Sequence, residues 1–321
     1  MTTRSDELNL QPGELVEVCS AAEILSTLDQ NASLEGLPFM PEMLAYCNRR
    51  ARVFRRAHKT CDTIGWSGLR GMDRAVHLEL RCDGSAHDGC QAGCLLFWKE
   101  AWLRRVTAGT ANGASTGDPQ ATMLSSDQEK WLLKSTRVPS DHAIQRRFRC
   151  QATELLNATY SLSPLDPRQY VCDVRSNGAT WAGVGAGLLH SVANRLRKLC
   201  HFDTLPRVAG TLRQTPAGVL DLQPGELVEV KAHAEILATL DSRSKNRGLA
   251  FDVEMVPYCG RRFRVLRRVE RIIEESTGKS IKIQGGCVIL DGVTCQGIYH
   301  RLCPRSTYPF WREIWLRRAG D

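Results

Sequence analysis

Apolar and polar positions change period twice within the first sixty residues. In ELVEV (14–18) they alternate, with β-branched valines, which predicts a short strand after a Pro-Gly turn. Next, Ile24, Leu25 and Leu28 fall on one helical face behind Ser20 and Glu23. The Ser20–Glu23 spacing is that of a capping box, so a short helix is predicted there. RRARVFRRA (49–57) returns to alternation, and VHLEL and a segment carrying Trp98 and Trp102 follow as further strands.

The same series then occurs again. LQPGELVEV at 10–18 recurs unchanged at 222–230, and GLPFMPEMLAYCNRRARVFRRA is answered by GLAFDVEMVPYCGRRFRVLRRV. FWKEAWLRR is answered by FWREIWLRR, after one inserted glycine, Gly292, moves the offset from 212 to 213 residues. Residues 10–106 and 222–319 are therefore two copies of one module. Several short strands and one helix in about a hundred residues fit a small barrel, so each module resembles an SH3-like barrel at fold level, an analogy that carries no function. The second copy has Ala232 where Ser20 stood and loses that cap.

Residues 107–127 are rich in Gly, Ala and Thr and predict a flexible linker. Residues 128–205 read as a mainly helical middle unit. Its clearest helix is VGAGLLHSVANRLRKLC, with Leu188, Val192 and Leu196 four apart, and Asp166-Pro167 opens a second in which Tyr170 and Val174 share a face. The expected fold class is α+β, two homologous barrel-like modules flanking a helical middle.

Composition narrows the function classes. The chain has 42% hydrophobic and 24% charged residues, ordinary for a globular protein. Its N-terminus lacks an apolar signal core, and its longest apolar stretch, near 182–189, is too short to cross a bilayer. A cytoplasmic protein without membrane contact is expected. A net charge of +8 permits an anionic partner, a small molecule or a nucleic acid, without requiring one.

Thirteen cysteines is a high and odd number for such a chain, which argues against complete disulfide pairing. The first copy contains CDGSAHDGCQAGC, placing Cys82, His87, Cys90 and Cys94 within thirteen residues, and Cys61 lies upstream. Cys61, Cys82, Cys90 and Cys94 suffice for a zinc ion or an iron–sulfur cluster, with His87 as a further donor. The irregular all-thiolate spacing favours iron–sulfur, whereas His87 pulls toward zinc. The second copy keeps Cys295, His300 and Cys303 but has Thr307 and Ile273 in place of Cys94 and Cys61. It is then either degenerate or uses Cys259, Cys295, His300 and Cys303. Cys150, in the middle unit behind RRFR, either joins the first site or is a buried structural thiol. Cys172 has a weaker case, and Cys19, Cys200 and Cys287 read as packing.

Arg50, Arg52 and Arg56 share a strand face with Phe54, as Arg262, Arg264 and Arg268 do with Leu266. Such a ladder would hold phosphates and stack on a base, or form a solvated face balanced by Glu14, Glu17 and Glu42. Neither copy has a nucleophile elbow, a phosphate loop, a GxGxxG turn or an HExxH helix. Two functions follow: a metal-binding protein, in which any catalysis or redox chemistry of a small-molecule biosynthetic step runs through metal or thiols, or an adaptor binding nucleic acid or protein through its arginine strands.

Overall fold

A computed structural model describes residues 8–106, 124–138, 146–200 and 206–320. The chain divides into two compact units. The first holds residues 1–180 with two short pieces from the second repeat, 273–280 and 303–305, and the second holds the remainder. The predicted linker falls outside the described residues from 107 to 123.

The fold is mixed α+β. In the first unit a five-stranded antiparallel sheet runs in the order Leu95–Lys99, Ala75–Arg81, Arg50–Arg56, Leu15–Val18, Leu103–Arg105. Its edge strands are consecutive in the chain, separated by one 3-10 turn, Glu100–Trp102, so the sheet has to curl to bring both edges to that turn. The second unit has the same order: Trp311–Arg312, Cys287–Leu290, Arg262–Arg268, Leu227–Val230, Leu316–Arg318. Each long arginine strand is bulged at the same place, between Val53 and Arg55 and between Val265 and Arg267. The extra residue breaks the simple alternation expected of Phe54 and Leu266.

Each core is built around paired tryptophans. Trp98, Trp102, Trp311 and Trp315 are fully buried. Trp102 packs edge-on to Phe39 and donates its indole N–H to Thr27 Oγ1 (3.1 Å), and Trp315 repeats this with Phe251 and Thr239 (3.0 Å). Glu100 and Glu313 pair with Arg56 and Arg268 but chiefly accept backbone N–H groups: those of Asn9 and Leu10, and those of Leu220, Asp221 and Leu222. Each carboxylate thus ties the segment before its first strand to the closing turn.

The capping box of Ser20 and Glu23 forms at helix Ala21–Ser26. At helix His233–Leu237 Glu235 accepts the Ala232 N–H, and no side chain caps the helix. Ala232→Ser should therefore stabilise the protein by about 0.5–1 kcal/mol, read as a raised midpoint of thermal unfolding. An unchanged or lowered midpoint would contradict the capping account.

Both predicted helices of the middle region form, Pro167–Ser176 behind the cap Asp166 and Trp181–Leu199, and a third, Ser126–Ser135, is capped by Ser125. Tyr170 is buried, but Leu188, Val192 and Leu196, spaced four apart along one helix, are 38%, 54% and 57% exposed. No helix among the described residues is long and apolar enough to cross a membrane.

Candidate metal centre

The cysteine-rich segment of the first copy forms a tight loop between two strand ends. The Cys82 N–H donates to Cys94 O (2.9 Å), which closes the loop's base. Inside it, the N–H groups of His87 and Gly89 both donate to Gly84 O, and that of Cys90 donates to His87 O. Gly84 is required there. Its φ is +74°, and a Cβ would lie 2.0 Å from Cys90 O.

This loop and the segment around residue 150 enclose a small cavity of about 30 Å³. Cys82, Cys90, Cys94 and Cys150 line it, together with His87 and the Arg305 side chain. Burial pushes the thiols up: Cys94 to about 12, Cys150 to about 11, and Cys82 well above its ordinary value, the last helped by the Glu42 charge. Cys61 does not line the cavity. Its N–H donates to Cys303 Sγ (3.2 Å), and the Cys61 thiol and the Arg305 backbone N–H and guanidinium bring Cys303 down to about 6 against its burial. The Ile273 N–H donates to Cys90 Sγ (3.4 Å). These two bonds are reciprocal: Ile273 is the repeat counterpart of Cys61, and Cys303 that of Cys90.

Glu42, which the sequence suggested only as charge balance, belongs to the same region. Glu42, Cys82 and His87 bring one donor atom each within 4.8 Å of one another. Glu42 Oε1 accepts from Ala86 N–H (3.0 Å) and contacts His87 Nδ1 (2.6 Å), and His87 Nε2 lies 3.0 Å from Arg149 O. Both imidazole nitrogens thus face oxygens, so His87 also braces the loop. Glu42 Oε2 is buried without a hydrogen-bond partner among the described residues, which leaves one anionic acceptor for a cation.

The second unit repeats part of this arrangement. Glu254, Cys295 and His300 bring donor atoms within 4.8 Å, with Cys295 Sγ 4.0 Å from His300 Nδ1. Tyr299 N–H donates to Glu254 Oε1 (2.5 Å), and Glu254 Oε2 is a buried orphan like that of Glu42. Cys259 lies apart from this group, packed against the core and raised to about 11 by burial. Cys303 lies in the first unit. The glutamates carried a faint sequence signal, since E-M-x-x-Y-C is one of the strings shared by both copies.

The arginine ladders already hold internal acceptors. Arg50 meets Glu17, Arg52 donates to Gly13 O, and Arg56 donates to Asn9 Oδ1 and Leu10 O. Arg262 meets Glu229, Arg264 donates to Gly225 O, and Arg268 meets Glu313 and Asp221. No family model, curated protein or solved structure matches the chain.

Proposed function

We propose that the protein binds a metal in the cysteine-lined cavity of its first unit, with Cys82, Cys90, Cys94 and Cys150 as ligands. The observation that carries this reading is that four half-buried thiols, three from one loop and one from a distant segment, line a single small hole, beside the Glu42, Cys82 and His87 donor atoms that already lie within 4.8 Å of one another. Buried thiols are soft donors that become thiolates on ligation, and the Arg305 guanidinium at the wall would offset the negative charge of a four-thiolate site.

Room argues for a single ion. A cavity of about 30 Å³ has room for about two water-sized groups, enough for one ion among the thiols that line it. Zinc suits four thiolates without redox chemistry, so the iron–sulfur alternative favoured by spacing becomes the second choice. The metal would supply a cross-link between the loop of residues 82–94 and the chain at Cys150, stabilising a unit with modest cores. The curled sheets, with consecutive edge strands meeting through a 3-10 turn, support reading each module as SH3-like.

Elemental analysis and an absorption spectrum of anaerobically purified protein test the proposal. About one equivalent of zinc in colourless protein is expected, whereas brown protein would mean a cluster. Cys90→Ser and Cys150→Ser should each lose the metal, while Cys61→Ser and Cys295→Ser retain it. Absence of any stoichiometric metal, or retention by the Cys150 variant, would sink this ligand set.

A further inference from the structure

The second unit keeps the loop of the first but not its set of thiols. The Cys295 N–H donates to Thr307 O (2.8 Å), and the N–H groups of His300 and Leu302 both donate to Gly297 O. Cys82, His87 and Gly89 make the same bonds to Cys94 and Gly84 in the first unit. Gly297 has a φ of +72°, against +74° at Gly84. The counterpart of Cys94 is Thr307, however, and Cys303, the counterpart of Cys90, belongs to the first unit. A four-thiol set therefore has no equivalent here.

Three different donors meet instead. Glu254, on the 3-10 turn Val253–Tyr258, brings a carboxylate oxygen within 4.8 Å of donor atoms from Cys295 and His300. Glu254 is only 4% exposed; its Oε1 accepts the Tyr299 N–H, and its Oε2 is buried with no hydrogen-bond partner among the described residues. A buried anionic oxygen left bare in this way is costly unless a cation meets it. His300 Nδ1 lies 4.0 Å from Cys295 Sγ. Across the ring, Asp252 Oδ2 lies 3.7 Å from Nε2, and Asp252 Oδ1 is held by the Glu254 N–H (2.9 Å). That carboxylate favours the proton on Nε2, which leaves the Nδ1 lone pair on the side of the thiol. Tetrahedral zinc at ordinary bond lengths sets sulfur and nitrogen about 3.5 Å apart, so the partly exposed ring has about half an ångström to close.

We propose that Glu254, Cys295 and His300 bind one divalent ion of the zinc class, with Asp252 as the positioning residue for His300 and the fourth coordination place left to water or a small anion. A thiolate and an imidazole beside one carboxylate suit zinc and cobalt(II), not magnesium or calcium, which take oxygen ligands. Three protein ligands with one open place are the pattern of zinc sites that exchange their fourth ligand, whereas four-thiolate sites are closed. Cys295 and His300 are both partly exposed, so ion and exchanging ligand can reach them. The site shares no residue with the cysteine cavity and does not rest on it. With one protein donor fewer, it takes a second equivalent supplied in solution after the cavity has filled.

The test is a cobalt(II) titration of the full chain carrying Cys82→Ser, which removes a donor from both groups of the first unit. One equivalent should bind with a thiolate charge-transfer band and the visible absorption of a four-coordinate ion, and azide should shift that visible absorption. In the same background Cys295→Ser should remove the charge-transfer band. His300→Ala and Glu254→Gln should each weaken binding by at least about a hundredfold, and Asp252→Asn by about tenfold. Glu254→Gln keeps an acceptor for the Tyr299 N–H, so its effect reports the lost charge rather than a disturbed loop. The same titration of protein with an intact Cys82 and a filled cavity should give the same spectrum at the second equivalent, which serves if the Cys82 variant does not fold. The proposal is overturned if no cobalt band appears, or if Cys295→Ser or His300→Ala binds as tightly as its parent. A spectrum indifferent to azide would overturn the open place. Failure of the cavity site would show as metal missing from purified protein while this signal persists, so the two failures are distinguishable.

Discussion

Raising the pH from 6.5 to 7.5 is expected to tighten metal binding by about a thousandfold or more, because the three thiols raised by burial must each release a proton on ligation. Cys82, Cys94 and Cys150 all lie in a hole that disfavours charge, and all three titrate well above neutrality in the metal-free protein. Each ionisation coupled to binding contributes about a factor of ten per pH unit. Competition against a chelator of known pH behaviour at the two pH values gives the slope directly. A change below about a hundredfold would mean that fewer than two of these thiols reach the ion. The same shifts fix the sign for stability of the metal-free protein. Their native values lie above those of the unfolded chain, so their contribution is whole below about pH 9 and is lost as the pH climbs and the unfolded thiols ionise. Loaded protein, its thiols already ionised, should lack this alkaline loss.

Gly84→Ala is expected to abolish metal binding and to cost the first unit about 3 kcal/mol or more. Two effects combine. The residue is left-handed at φ +74°, which costs a non-glycine about 1 kcal/mol. The added Cβ would also meet Cys90 O at 2.0 Å, and neither atom belongs to a flexible side chain, so the loop has to open and carry Cys90 away. Gly89→Ala is the matched control: φ there is +69°, and nothing lies within 4 Å of the new Cβ. It should cost only the conformational part and keep its metal. Chemical denaturation and metal analysis of the two variants separate clash from backbone preference, and equal effects would refute the steric account.

Much of the fold was legible because duplication wrote its plan twice. The strand Leu15–Val18, the box of Ser20 and Glu23 and the buried tryptophans follow from local period and spacing, and the strand and the tryptophans recur in the second copy while the Ser20 cap does not. The bulge after Val53 was not legible, since one extra residue in a seven-residue strand leaves the alternation looking intact. At the site, the loop from Cys82 to Cys94 announced itself by clustering. Glu42 did not, because a carboxylate ahead of an apolar run looks like any solvated surface until folding buries it against His87. Cys150 and the Cys61–Cys303 contact depend on segments far apart in the chain, and no local pattern encodes such a meeting.

Because the first unit takes residues 273–280 and 303–305 from the second repeat, the gene cannot be divided at its obvious seam. A fragment ending before the second copy would leave Cys90 Sγ without the Ile273 N–H, the Phe148 N–H without Gly278 O, and the thiol hole without the guanidinium at its wall. The first unit is therefore complete only when the chain runs on through residue 305.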